Sequence, residues 1–264
     1  MVWNMCGLFW VFLTLFRKYD CGEMRLGTSI IIPAVSVSTV GLTGAVVSTY
    51  AYELPTRLAI PVMIVSFEWV GVGILLGMIL YVYLFHALLA QGWPPPPQTA
   101  TMFIFIGPMG QSAACLQLLG SAAAKYNRFA EFDQGSFLTA QAAPGVDAAC
   151  TVIALLLNGL GVIFLLFSIA AMIDRAIERT LVWTPSWNAI IFPTATLTTS
   201  MLVFAIQMDS AAYRVVTAIL TISLVIVFLF NGVMTVLRIS QGKLLIVKED
   251  WRVKQQIMDE QKER

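Results

Sequence analysis

Residues 187–201 read Trp-Asn-Ala-Ile-Ile-Phe-Pro-Thr-Ala-Thr-Leu-Thr-Thr-Ser-Met and open an apolar span that carries no charge until Asp209. Pro193 lies inside this span, where a proline removes one backbone N–H and clashes with the preceding helical turn. In a membrane the freed carbonyl needs a partner, which is a neighbouring helix, water or a hydroxyl group. Hydroxyl side chains follow at once, beginning with Thr194. The stretch predicts a kinked helix beside Phe192, either lining a path for a solute or packed tightly among other helices.

The composition predicts an all-α, polytopic membrane protein. The chain has 264 residues, of which 58% are hydrophobic and only 12% are charged, whereas a typical soluble domain is about 25% charged. Several apolar runs exceed the ~18 residues that mark a transmembrane helix. About seven such helices are predicted, over residues 2–16, 28–52, 59–90, 101–124, 146–173, 187–208 and 215–237. We therefore predict a transmembrane transporter domain over residues 1–240 and a charged tail over residues 241–264.

The sequence contains no set of residues that predicts catalysis or metal binding. It has one histidine, His86, and four cysteines without a CxxC pair, which excludes the usual zinc sites and a Ser-His-Asp arrangement. A phosphate-binding loop is also missing from the sequence, which excludes an ATP-driven pump within this chain. We predict neither an enzyme nor a bound cofactor.

The distribution of basic residues predicts a cytoplasmic C-terminus. When the loops are assigned alternately to the two sides of the membrane, one side collects twelve of the 16 Lys and Arg residues and the other side four. Basic residues accumulate on the cytoplasmic side of membrane proteins. The basic side includes the C-terminal tail, so seven spans would place Met1 outside.

Prolines divide the spans into two kinds. Pro33, Pro108 and Pro193 lie inside the second, fourth and sixth spans, whereas Pro61 and Pro144 stand at the entrances of the third and fifth. An entrance proline costs little because the first helical N–H groups are unpaired anyway. Interior prolines persist where neighbours or a water-filled cavity satisfy the backbone. The alternation predicts kinked inner helices backed by straight outer helices around a transport path, unless it arises by chance.

The fourth span carries the sequence Gly-Pro-Met-Gly-Gln at residues 107–111. One interpretation is a helix broken within the membrane, whose exposed backbone amides attract an anion. The other is that Gly107 and Gly110 let two helices approach closely. The sequence does not decide between them.

Glu68 and Arg128 are two charged residues for which the sequence predicts different positions, within a span and at the protein surface. Glu68 lies inside the third span and is a candidate coupling carboxylate, since ionisable groups within spans are often functional. It also lies near the start of that span, which fits a position at the lipid headgroups. Arg128 belongs to the polar stretch of residues 125–143, and we expect it at the protein surface.

Three short motifs resemble the tellurite-resistance/dicarboxylate transporter family. Residues 107–111, preceded by the linker of residues 94–97, resemble the Leu-Gly-Pro-Leu-Gly-Gln segment of fungal sulfite efflux pumps. Residues 30–35 resemble the proline-containing inner helix of those pumps. Trp187 with Phe192 and Pro193 resembles the Trp…Phe-Pro signature of the wider family, which includes fungal malic acid transporters, bacterial tellurite-resistance proteins and the slow anion channels of plant guard cells.

The resemblance implies a fold of ten helices in five hairpins around a pore, with kinked inner helices. The spans of this chain correspond to the fourth to tenth helices, so we expect the first three to be absent from it. Phe192 corresponds to the phenylalanine that plugs the pore in channel members. The residues that would line or kink the pore are Pro33, Gly107, Pro108, Gly110, Gln111, Pro193 and Thr194. The implied function is sulfite efflux or transport of a C4-dicarboxylate such as malate, in a fungal-type plasma-membrane protein that forms trimers.

Two alternatives remain at this point. Seven spans also fit a seven-helix receptor, although Asp174 and Arg175 follow the fifth span rather than the third. A truncated family member that does not transport by itself would share the same motifs.

Overall fold

The structure of the chain is a computed structural model that describes residues 2–18, 27–51 and 53–242. These residues form eight α-helices and no strand beyond one isolated bridge between Gln134 and Leu138. The helices are α1 (Val2–Lys18), α2 (Ile32–Tyr50), α3 (Thr56–Gln91), α4 (Ile106–Ala124), α5 (Arg128–Phe132), α6 (Ala143–Ile177), α7 (Ile191–Gln207) and α8 (Ala211–Ser240). The tail predicted over residues 241–264 lies, from residue 243 on, outside the described residues.

Six of the described helices are long and apolar enough to cross a membrane, namely those of residues 28–50, 56–91, 96–124, 143–177, 185–207 and 211–240. They match the second to seventh predicted spans. The first predicted span forms α1, which has 17 residues. The prediction of an all-α polytopic membrane protein is confirmed.

The spans pack as three pairs in two layers. Helix α2 packs on α3, α4 on α6, and α7 on α8, while α4 also contacts α2 and α7 and so lies between them. The two layers differ in burial. Of the 18 most apolar consecutive residues in each span, 94% are buried in the α4 span and only 6% in α8. The inner row is therefore α2, α4 and α7, and the outer row is α3, α6 and α8, as the alternation of prolines predicts. Helix α1 packs on α2.

Each inner span begins as a 3₁₀ helix and becomes an α-helix just before its proline. The 3₁₀ segments are Thr28–Ile31, Pro96–Phe105 and Pro185–Ile190. Pro33 is then the second residue of its α-helix, and Pro108 and Pro193 are the third residues of theirs. The first N–H groups of an α-helix have no partner four residues back, so a proline costs little there. The kinks predicted inside α-helices are thus replaced by a change of helix type within each span.

The entrance prolines behave differently from each other. Pro144 is the second residue of α6 and stands at its entrance, as predicted. Pro61 is the sixth residue of α3 and lies inside that helix, so its assignment to the entrance was wrong by about one turn.

Hydrogen bonds join the three 3₁₀ segments side by side. The hydroxyls of Thr28 and Thr101 are 2.8 Å apart and link the first two segments. The hydroxyls of Thr184 and Ser186, at the start of the third segment, both donate to the Pro97 carbonyl at 2.8 Å. Threonine and serine side chains thereby satisfy backbone groups that the tighter helix leaves open.

Arg128 is buried, which contradicts the expected surface position. Its Nε donates to the Ser48 carbonyl at 3.2 Å, and its Nη1 and Nη2 donate to the carbonyls of Leu54 and Ala51 at 2.8 and 3.1 Å. These carbonyls belong to the C-terminal end of α2 and the turn that follows it. A guanidinium suits this position because the end of a helix carries unpaired carbonyls and a partial negative charge.

We predict that Arg128→Met destabilises the protein because three carbonyls lose their donor. Each buried group left without a partner costs about 1–3 kcal/mol. The measurement is the thermal midpoint of the purified protein in detergent, compared with Arg57→Met, which removes an exposed arginine at the start of α3. Equal midpoints for the two variants would show that Arg128 does not hold the α2–α3 turn.

Candidate functional site

The inner helices α4 and α7 cross with their backbones in contact at Gly110. A Cβ atom at Gly110 would lie 2.4 Å from the backbone nitrogen of Leu197 and 2.6 Å from its Cα. One turn earlier, a Cβ at Gly107 would lie 3.6 Å from Pro193. Small residues permit such close crossings of membrane helices. The structure therefore brings Gly107 and Gly110 together with Pro193.

The crossing favours the second interpretation of the fourth span, in which Gly107 and Gly110 let two helices approach closely. Helix α4 runs without interruption from Ile106 to Ala124, and the stretch from Ile106 to Ala123 is buried throughout. The change from 3₁₀ to α-helix comes just before Gly107, and the Tyr81 hydroxyl donates to the Phe105 carbonyl at that point. The backbone of α7 occupies the space in which exposed amides would have met a cavity.

Gln111 is a fully buried amide without a hydrogen-bond partner. Its exposed fraction is 0%, and neither its Oε1 nor its Nε2 is paired within the described part of the chain. The neighbouring hydroxyl of Ser112 is also buried and unpaired. A polar group left unpaired costs about 1–3 kcal/mol, and the hydrocarbon core supplies no water to relieve it. Gln111 is therefore the polar group in the inner row that most needs a further partner.

A second group of buried or half-buried polar residues makes hydrogen bonds between helices, although Gln117 Oε1 and Gln207 Oε1 have no partner in the described part of the chain. Gln117 Nε2 donates to the Ser200 carbonyl at 3.4 Å, and the Ser200 hydroxyl donates to Asn158 Oδ1 at 2.6 Å. Gln207 Nε2 donates to the Ser121 hydroxyl at 3.0 Å. These bonds join α4, α6 and α7 along one side of the crossing. Sequence reasoning missed Asn158, because nothing in the apolar α6 sequence indicates that it faces Ser200.

Helix α7 has three faces with different surroundings. Leu197 faces Gly110 of α4. Thr194 is 5% exposed and borders a cleft between α6 and α8, where its hydroxyl has no partner among the described residues. Phe192 is 48% exposed and lies on the third face. Two residues along a helix correspond to a rotation of about 200°, so Phe192 and Thr194 point to opposite sides and do not line one common path.

The exposed face of α7 and that of α2 form what we call the open face of the inner row. On α7 its residues recur at helical spacing, and on α2 they do the same beside the faces that pack on α3 and α4. The open face consists of Ile32, Ser36, Thr39 and Thr43 on α2 and of Phe192, Ala195 and Thr199 on α7. Because α3, α6 and α8 lie behind the inner row, both halves of this face are turned away from the outer helices.

The open face combines hydroxyls with one aromatic side chain. Thr43 and Thr199 are exposed, and each hydroxyl donates to the carbonyl four residues earlier, at 2.9 Å. Asn4 of α1 approaches the Ser36 carbonyl at 3.5 Å. The spacing of 192, 195 and 199 could have identified these residues from the sequence, since it is the i, i+3, i+7 pattern of one helix face.

Glu68 is not brought together with the inner helices. It is exposed on the outer helix α3 and lines an open cavity of about 610 Å³ with Phe67, Phe137 and Val146. Ser66, which faces Gly44 of α2, lies about 200° away around the same helix. Glu68 thus lies on an outer helix, and its role as a coupling carboxylate stays a prediction.

We predict that Gly110→Val separates α4 from α7 and destabilises the protein. Overpacking of this kind costs about 1–3 kcal/mol, and here the clash is with backbone, which cannot rotate away. Thermal midpoints in detergent would be compared with those of Gly71→Val on α3, where a Cβ meets nothing within 4 Å. The close crossing would be contradicted if both variants melted at the same temperature.

Comparison with known families gives one match. The family described as voltage-dependent anion channel (SLAC1) matches residues 1–236, which is nearly the whole chain. No curated protein and no solved structure matches this chain. The match supports transport over the receptor alternative, and with the six apolar helices it makes the chain a multi-pass membrane protein. The chain belongs to the voltage-dependent anion channel family, whose members are anion channels and transporters rather than enzymes.

Proposed function

We propose that this chain carries small inorganic anions along the open face of the inner row and that Phe192 is the gate. The observation that carries the proposal is the position of Phe192. A large apolar ring stands 48% exposed on this face, one residue before the proline at which the span changes helix type. Hydrophobic constrictions close pores by excluding water. Rotation of this ring would change the width of the path without unfolding α7.

Neutral donors would attract the anion in this proposal. Helices α2, α4 and α7 contain no Lys or Arg between their first and last residues. The buried amide of Gln111 is then a neutral donor that can replace part of the hydration shell, because it has no partner in the described part of the chain. The hydroxyls of the open face already donate to carbonyls of their own helices. Conduction requires binding that is weak enough for release, and neutral hydrogen bonds are weaker than charge-assisted ones.

We propose sulfite rather than malate as the preferred anion. The segment of residues 107–111 resembles that of fungal sulfite efflux pumps, and the tight α4–α7 crossing leaves little room beside Gln111. A compact oxyanion needs fewer donors and less space than an extended C4-dicarboxylate.

The proposal also includes the assembly and address of the protein. By resemblance we expect trimers in the plasma membrane, with the C-terminus in the cytoplasm because most basic residues lie on that side. The mass of the protein in nanodiscs tests the oligomeric state.

We predict that Phe192→Ala raises sulfite flux in reconstituted vesicles by roughly tenfold, which corresponds to a barrier lower by about 1.4 kcal/mol. The control is Phe228→Ala, which removes an exposed ring from the outer helix α8 and should leave the flux unchanged. Malate flux would be measured in the same vesicles and should rise less. If both variants carry sulfite at the wild-type rate, Phe192 is not the gate.

We predict that Gln111→Leu stabilises the protein while it lowers anion flux. The change removes an unpaired buried amide, which is worth about 1–3 kcal/mol, but it also removes the proposed donor. The control is Gln117→Leu, which breaks the bond from Nε2 to the Ser200 carbonyl and also removes an unpaired Oε1, so it should stabilise the protein less than Gln111→Leu does. Unchanged flux in Gln111→Leu would remove Gln111 from the path, whatever its effect on stability.

A further inference from the structure

A cleft on the outer side of the protein remains unexplained by the proposed path. It lies between α6 and α8, which both flank α7 but make no extended contact with each other. Its volume is about 390 Å³, within the range of small-molecule sites. Its two walls come from α6 and α8, and Trp187 and Thr194 lie at its two ends.

The cleft has the length of half a bilayer. Its α6 wall runs from Leu165 to Ala176, which is about 17 Å at 1.5 Å per residue. Half of the ~30 Å hydrocarbon core is ~15 Å. Ala176 lies one residue before the end of α6, and Trp187 lies in the 3₁₀ segment that precedes α7. The cleft therefore begins at one membrane surface and ends near Leu165 and Thr194.

The end at the surface has the chemistry of a membrane interface. Trp187 is half-buried there, and its Nε1 donates to the Val182 carbonyl at 3.2 Å. Trp183 lies in the same connection, and its Nε1 donates to Asn231 Oδ1 at 3.0 Å. Tryptophan is enriched where hydrocarbon meets the headgroups. The inner end is lined by aliphatic side chains and by the hydroxyls of Thr194 and Ser223, of which that of Ser223 donates to the Ile219 carbonyl within α8.

The side chains of the walls favour a flexible chain over another helix. Helices that pack in membranes meet through Gly, Ala, Ser or Thr. The facing walls here carry mostly branched or long residues, such as Ile169 and Met172 on α6 and Leu224 on α8. They present no stripe of small residues against which the backbone of another helix could pack closely, whereas a flexible apolar chain can pack among large side chains.

We propose that this cleft binds one acyl chain of a phospholipid from the adjacent leaflet, with the headgroup beside Trp187. The acyl chain covers the outer side of α7 behind the open face. Binding depends on burial of methylene groups rather than on a particular headgroup. This site is independent of the proposed gate, because it lies on the face of α7 opposite Phe192.

The test measures phospholipid retained by the purified protein. The protein would be reconstituted in vesicles of palmitoyl-oleoyl phosphatidylcholine, extracted with a mild detergent, and weighed by native mass spectrometry. Leu220→Trp fills the cleft from α8, and Ala176→Leu narrows its entrance. The matched control is Ile222→Trp, because Ile222 is 61% exposed on the same helix and does not line the cleft.

We expect about one phospholipid per chain in the wild type and in Ile222→Trp. Retention should fall roughly tenfold in Leu220→Trp and Ala176→Leu, the effect of excluding about two methylene groups. A wild-type chain without bound phospholipid would overturn the proposal, as would equal retention in all four proteins. Lipid-free dimers that Leu220→Trp dissociates would overturn it too, since a second copy would then fill the cleft.

Discussion

This structure depends on one constraint: no water is available within the membrane to pair with backbone groups that a proline leaves open. The constraint applies to the three inner helices, each of which has a proline near its start. Each helix meets it by crossing the first part of the membrane as a 3₁₀ segment and converting to an α-helix just before its proline. The proline then occupies a position whose N–H would be unpaired in any case. Hydrogen bonds among Thr28, Thr101, Thr184 and the Pro97 carbonyl hold the three segments together. The inner row is thus fixed at one end by these segments.

The close contact of α4 with α7 determines which polar side chains of the inner row find hydrogen-bond partners. With Gly110 against the Leu197 backbone, α4 is enclosed by α2, α6 and α7 and exposes none of its polar side chains. Gln117 and Ser200 find partners within this packing, whereas Gln111 does not. An apolar residue at position 111 would avoid the free-energy cost of a buried amide without a hydrogen-bond partner. Such a local cost is typical of positions retained for function rather than for stability.

The amino-acid sequence predicts the layers of this fold better than its contacts. Pro33, Pro108 and Pro193 mark the three inner helices in the sequence, although Pro61 lies inside the outer helix α3. Side-chain direction is not visible in the same way. The burial of Arg128 depends on three carbonyls that lie more than 70 residues away in the sequence. Which of Phe192 and Thr194 is buried depends on which face of α7 meets its neighbours, and the composition of residues 187–201 does not encode that face.

The placement of polar groups on α7 explains how one helix can serve both a path and the lipid bilayer. Its hydroxyls are distributed around the whole circumference, but three of them, on Thr196, Thr198 and Thr199, donate to carbonyls of the helix itself. A hydroxyl paired in this way is compatible with an apolar neighbour, so a row of threonines does not define a polar path. The face that carries Phe192 is distinguished by its exposure. In the proposed function, this asymmetry rather than the number of hydroxyls distinguishes the side of α7 that faces the path from the side that faces the cleft.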